Sequence, residues 1–259
     1  MKKFFLFLFF LFDLTFFSFA QRLSTSEISN IIRESSEEVN PEKAQKILDK
    51  VSLIVNEKNT HDSIKALYFH QQGQIFLDEN QFKSADSCFN IAKSIYIKLQ
   101  DYPKQIMVLN SLGNLFMRRG EYKGSKKFYK QGLAIALKSD DKKAQGMIYY
   151  NLGHICNNEG KYEEAVSLTT KAANLFKDLN DNKRFIQTNQ DLALIISKFD
   201  INKGISILNK LSKNPAIDSF IMLKLMNYAN LGVFYSKKKS SDSSLIYLSK
   251  ALQIAKKTT

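Results

Sequence analysis

Apolar residues along this chain recur with two superposed periods. Locally they fall three and four residues apart, which places them on one stripe of a helix. The stripes themselves return about every 40 residues, the mark of a repeat array. Units starting at Thr25, Ala66, Ile106, Gly146, Ile186 and Leu225 are spaced 41, 40, 40, 40 and 39 residues apart and leave almost nothing over after residue 20. Each unit reads as two helices. In the first, position 4 carries Ile28, Phe69, Leu109, Tyr149, Asn189 and Tyr228, and position 7 carries Ile31, Gln72, Leu112, Leu152, Leu192 and Leu231. Position 8 is small in Gly73, Gly113, Gly153, Ala193 and Gly232. A glycine inside a helix costs about 1 kcal/mol against alanine, so its recurrence predicts close approach of a partner helix. The second helix offers small residues at position 20: Ala44, Ala85, Ser125, Ala165 and Ser244. Asn80, Gly120 and Gly160 between the helices suit the left-handed residue that ends a helix. The fifth unit fits least well, with Asn189 at a core position and a second helix that reads better shifted by one residue, placing Gly204 and Leu208. The expectation is an all-α chain of about six helix–turn–helix units, or about twelve helices.

Leu112-Gly113, Gly120-Glu121-Tyr122, Leu152-Gly153, Gly160-Lys161-Tyr162 and Ala165 together resemble the tetratricopeptide repeat (TPR). The usual period of that family is 34 residues, so the longer spacing here implies a long-period member with longer helices. The resemblance implies a right-handed α-solenoid whose first helices line a concave groove and bind peptide or protein through positions 2, 5, 9, 12 and 13. Carried onto this chain, the central groove residues are Met107, Asn110, Asn114, Met117, Arg118, Met147, Tyr150, His154 and Asn157. The asparagines suit a ligand backbone, Arg118 an acidic group and Tyr150 an apolar side chain. Methionine is pliable and over-used on promiscuous binding surfaces. The carboxylate clamp of chaperone-binding members would need lysine at position 5; Asn110 stands there, and the clamp is not expected.

The first twenty residues are a different material. Lys2 and Lys3 precede a Phe/Leu run from Phe4 to Phe12, and Ser18-Phe19-Ala20 closes the segment. This reads as a secretory signal peptide over residues 1–20, cut after Ala20, with residues 21–259 as the repeat array. The run falls short of the ~20 apolar residues that span a bilayer, and no later stretch is long enough. The chain is therefore expected in the periplasm or cell envelope, or secreted. Removing Lys2, Lys3 and Asp13 from 38 basic and 25 acidic residues leaves a net charge of +12. From Ile201 onward ten lysines face only Asp218 and Asp242. Such a surface favours acidic partners; nucleic acid is not expected for an exported chain. Cys88 and Cys156 fall nearly two repeats apart, too far for a disulfide, and read as small buried groups.

No Gly-rich phosphate loop, nucleophile elbow, His-Glu-x-x-His or paired cysteine motif is present. His61 reads as solvated, His70 and His154 as groove residues, and Glu163-Glu164 as solvent-facing. No cofactor, metal or enzymatic activity is expected. Two functions follow. One is an exported scaffold that holds a peptide or protein in its groove. The other is an extracytoplasmic input array of a bacterial signalling protein, a histidine kinase or transcriptional regulator, because no further helix covers the last apolar face.

Overall fold

The computed structural model describes residues 23–258 apart from Asn56 and Lys58. The proposed signal peptide lies outside the described residues. Twelve α-helices and one short 3-10 helix follow one another there, with no strand among the described residues. They are α1 (Thr25–Glu37), α2 (Pro41–Val55), α3 (Asp62–Asp78), α4 (Phe82–Lys98), α5 (Tyr102–Arg118) and α6 (Tyr122–Lys138), then α7 (Lys142–Asn158), α8 (Tyr162–Asp178), α9 (Asn182–Ile196), α10 (Ile201–Ser212), α11 (Ile221–Lys237) and α12 (Ser241–Thr258). The 3-10 helix, Pro215–Ser219, sits between α10 and α11.

From α3 to α8 every helix has 17 residues and every connection three. Two helices and two connections make the 40-residue period. Each connection turns on one left-handed residue: Asn80, Gln100, Gly120, Asp140, Gly160 and Asn180, twenty residues apart. The following N–H reaches back to the carbonyl of the residue five positions earlier, as Gln81 to Phe76 (2.7 Å), Glu121 to Phe116 (2.9 Å) and Asp181 to Phe176 (2.9 Å). This is the Schellman closure of a helix C-terminus. Residue type suits Asn80, Gly120, Gly160 and Asn180, and to a lesser degree Asp140, for this role. Gln100 is the one that type does not mark, and the strain at Gln100, Asp140 and Asn180 is offset by the N-caps that follow. Asp101, Asp141 and Asp181 each accept from the backbone N–H three residues on, at 3.1, 2.9 and 3.1 Å. Such a cap contributes about 1 kcal/mol.

The described residues form two compact units, divided between Phe128 and Tyr129 inside α6. In the first, one core gathers Ile28, Leu48, Val51 and Ile64, and a second gathers Phe89, Tyr96, Leu112 and Leu115. Gln105 of α5 is buried and donates to Tyr96 O of α4 at 3.0 Å, tying one hairpin to the next. Cys88 is buried there.

In the second unit Ile186, Leu208, Leu211, Leu231 and Phe234 form the main core, and Cys156 is buried beside Ala165 and Ile195. Gln145 repeats the tie of Gln105, donating to Ala136 O at 3.0 Å. The shifted register of the fifth unit holds: Gly204 packs against Ala193 O, where an added Cβ would lie 3.0 Å away, and Leu208 is fully buried. The terminal hairpin leaves Met222, Met226, Val233, Leu245 and Leu252 exposed.

The small residues at position 8 mark close helix crossings and face position 20 of the partner helix, as Gly153 faces Ala165 O at 3.4 Å from an added Cβ; position 24 packs there as well. A Cβ on Gly73, Gly153 or Gly232 would meet Phe89, Thr169 or Leu248, all at position 24. Two of the position-20 residues also contribute a hydrogen bond. Ser125 Oγ donates to Gly113 O at 2.7 Å, and Ser244 Oγ donates to Gly232 O at 2.9 Å. The absence of a side chain at these glycines leaves the carbonyl open to a hydroxyl from the facing helix.

Candidate functional site

In the first unit α1, α3 and α5, with the α1–α2 connection and the start of α2, line an open groove of about 600 Å³. Positions 2, 5, 9 and 13 of the second repeat, Leu67, His70, Gln74 and Asp78, all line it, joined by Met107 at position 2 of the third. Helical spacing puts these residues on one face of α3. The groove is mixed in character, with Arg33 and Lys104 set against Glu38 and Asp78. His70 Nε2 lies 2.9 Å from Ser111 Oγ, and Gln74 Nε2 donates to the same hydroxyl at 2.6 Å. Burial and the nearby Lys104 ammonium hold the His70 imidazole down at about 4, so it is neutral at physiological pH.

The candidate residues of α5 are placed as follows. Met107 lines the groove; Asn110, Asn114 and Met117 are half-buried. Arg118 is exposed and already engaged: its guanidinium donates to Asp78 Oδ1 at 3.3 Å and to Asn80 Oδ1 at 3.0 Å. An exposed pair of this kind contributes at most about 1 kcal/mol. Arg118 can still be drawn onto a ligand carboxylate, but it must give up these partners.

In the second unit Met147, Tyr150, His154 and Asn157 lie on α7, all half-buried. Tyr150 donates to Asp191 Oδ2 of α9 at 2.6 Å and accepts from Gln187 Nε2 at 3.3 Å. Burial and the Asp191 carboxylate push its phenol well above the ordinary tyrosine range. His154 stacks edge-on against Tyr150 at 4.5 Å and brings Nε2 to 3.7 Å from the same carboxylate. Asn157 Oδ1 accepts from Lys198 Nζ at 2.9 Å.

Two of these contacts follow a common rule that the sequence alone does not reveal. A position-5 side chain bonds the position-6 side chain 41 residues later, His70 to Ser111 and Tyr150 to Asp191. Neither Ser111 nor Asp191 is among the expected site residues. Their signal is a polar residue one period plus one step after each groove donor, which only a register fixed in advance could expose. The rung also changes how Tyr150 must be tested. Tyr150→Ala would leave the Asp191 carboxylate without its phenol, so lost binding and lost packing would be confounded.

His61 caps α3 in an exposed position with Nδ1 3.0 Å from Ser63 Oγ, and Glu163 and Glu164 are exposed. No group of three or more His, Cys, Asp or Glu side chains is arranged to hold a metal among the described residues. No helix among them is long and apolar enough to cross a membrane.

Helix hairpins at this spacing, closed by small residues at position 8, agree with what family models find. Residues 104–178 and 227–258 match models of the tetratricopeptide repeat. The chain carries tetratricopeptide repeats. No curated protein matches it. Among solved structures, BtubC (BKLC) from P. vanneervenii is 17% identical, with 89% of this chain aligned to 92% of that one at a TM-score of 0.67. A signal transduction ATPase with numerous domains and a TPR sensor, from Pyrococcus horikoshii, is 20% identical over 88% of this chain and 35% of its own, at a TM-score of 0.69. The apo form of RapI is 12% identical over 90% of this chain and 98% of its own, at 0.62. At these identities the likeness shows the fold, an all-α TPR solenoid.

Proposed function

We propose that this chain is an exported, non-enzymatic TPR scaffold that holds a peptide or protein segment in the groove of its first helices. The observation that carries this reading is the groove between α1, α3 and α5, about 600 Å³ in volume, lined by positions 2, 5, 9 and 13 of a repeat. Its wall alternates apolar Leu67 and Met107 with the neutral hydrogen-bonding groups of His70 and Gln74. An extended segment needs both: partners for its backbone and pockets for alternate side chains. The candidate residues on α7 present the same alternation, with Met147 beside Tyr150, His154 and Asn157. Export rests on the basic start and apolar run of residues 2–12, and placement in the periplasm or cell envelope follows from it. The net charge of +12 left after cleavage favours an acidic partner, and an exported setting makes nucleic acid the less suited one.

Affinity capture from the native cell envelope tests the reading. Gln74→Ala with Met107→Ala should reduce the captured partner about tenfold or more, as when hot-spot residues are truncated. Melting temperature should fall by only a few degrees, since both side chains are half-buried at the groove wall. Alanine at the exposed pair Glu163 and Glu164 should change neither. Capture that survives the groove exchanges but is lost on neutralising Lys237, Lys238 and Lys239 would place binding on the basic end of the chain instead.

A second reading, an extracytoplasmic input array of a signalling protein, is favoured by the exposed apolar residues of α11 and α12. Exposed apolar residues gathered on one hairpin suit an interaction site, and a neighbouring part of a larger assembly would cover them.

A further inference from the structure

The weakest repeat in the sequence holds a second large, open cleft. Residues of α8, α9, α10 and the segment after α10 line a cleft of about 650 Å³ in the second unit. That volume is in the range that small-molecule sites occupy. Of its ten lining residues, three are lysines (Lys177, Lys210 and Lys213), four are asparagines and none is acidic. Phe185 and the buried Leu211 supply an apolar wall. The neighbouring acids are not part of the lining, and Asp181 is held by Arg184 at 2.5 Å. The three lysines form no ion pair among the described residues, whereas Lys203 and Lys224 nearby do, with Asp200 and Asp218.

The pocket exists because the repeat breaks its own rule here. α10 has 12 residues where the regular helices have 17, and a 3-10 helix follows it. Position 4, apolar in every other unit, is Asn189, half-buried on the pocket wall. Its Nδ2 donates to Phe185 O at 2.9 Å. Its Oδ1 has no partner among the described residues and is left to accept from something in the pocket. Polar residues at positions that packing reserves for apolar ones are where function overrides fold.

We propose that this pocket binds a small organic anion that carries an apolar body and a hydrogen-bond donor. The lysines take the charge, Phe185 and Leu211 the apolar body, and Asn189 Oδ1 the donor. N-Acetylphenylalanine has all three features, and N-acetylphenylalaninamide lacks only the charge. Titrated into the isotope-labelled protein, the acid should shift the amides of residues 177–189 and 207–214 saturably, and the neutral amide should bind about tenfold more weakly or not at all. Lys210→Ala with Lys213→Ala, which leaves only Lys177, should shrink the difference between the two probes severalfold while leaving the melting temperature unchanged, because both side chains are exposed. Asn189→Leu should remove binding of both and leave the melting temperature at or above that of the wild type. The proposal fails if no saturable shift appears by about 10 mM, if acid and amide bind alike, if the lysine exchanges leave the preference intact, or if the shifts fall on α1, α3 and α5. It also fails if Asn189→Leu lowers stability, because the asparagine would then be structural. Peptide binding in the groove of the first unit does not depend on the result.

Discussion

Replacing Gly153 by leucine is expected to destabilise the protein by about 3 kcal/mol or more, at the upper end of what overpacking costs. Gly153 lies in α7 where α8 crosses it. A Cβ there would sit 2.5 Å from Thr169 Oγ1 and 3.4 Å from Ala165 O. Thr169 is 2% exposed and β-branched, so it can turn only between two χ1 wells, and its own backbone N, 3.4 Å from the added Cβ, cannot turn away at all. The helices must part. For a chain of this size each kcal/mol lowers the melting temperature by roughly 2–4 °C, so a loss of about 6–12 °C should be seen by calorimetry. Gly113→Leu should behave alike, because Gly113 O accepts from the buried Ser125 Oγ at 2.7 Å and a side chain would force that contact open. Gly160, seven residues on from Gly153, is the control. It is needed for its backbone, with φ at +75° and nothing within 4 Å of an added Cβ. Gly160→Ala should cost only about 1 kcal/mol, the strain of a left-handed residue. Equal effects at 153 and 160 would mean that the crossing of α7 and α8 is not tight.

The second large effect is a dependence of stability on pH, centred on His70. Its imidazole is 8% exposed, set against the Phe89 ring, and held down at about 4. In the unfolded chain the same group titrates near 6.5. Between these values the unfolded state binds the proton and the native state does not. The stabilisation is therefore complete above about pH 6.5 and is lost as pH falls towards 4, by about 3 kcal/mol in all. Carboxylates titrate in the lower part of this window, so the difference between wild type and His70→Gln isolates the histidine. Glutamine keeps a donor for Ser111 and has no proton to gain. The variant should lose less stability between about pH 7 and 4.5 than the wild type does. Parallel pH profiles would show that His70 charges in the native state, and its burial would then be wrong.

The repeat is legible in the sequence because its chemistry is periodic. Leu152-Gly153 and Gly160-Lys161-Tyr162 echo Leu112-Gly113 and Gly120-Glu121-Tyr122, and these short signals carry the helix pairing with them. The turns between hairpins are less legible. Gln100 takes the same left-handed conformation as Gly120 although glutamine does not favour it, and Asp140 and Asn180, of types that tolerate it, stand in turns whose glycine-free sequence gives little other signal. Position 24 escapes notice for a related reason: Phe89, Thr169 and Leu248 differ in size and polarity, so nothing in them repeats. The groove of α3 follows the expected helical positions, with Leu67, His70, Gln74 and Asp78 on its wall. Sequence does not show how those positions pair across neighbouring helices. Asp191 is one polar residue among many until Tyr150 is seen to reach it at 2.6 Å. Asn189 stands out in the sequence as a defect of the fifth repeat, and the cavity beside it gives that defect a shape.

Binding in the groove is tested most directly by where a partner touches. A photoreactive residue placed singly at Gln74 or Met107, in the groove wall, should crosslink the partner in cells. The same residue at Ile97 or Leu137, exposed at 55% and 54%, should crosslink nothing specific. Sequencing the crosslinked peptide should return one segment of one partner from both groove positions. Crosslinks at Leu245 or Leu252 of the terminal hairpin, with none at Gln74 or Met107, would contradict groove binding and leave the exposed C-terminal face as the working surface.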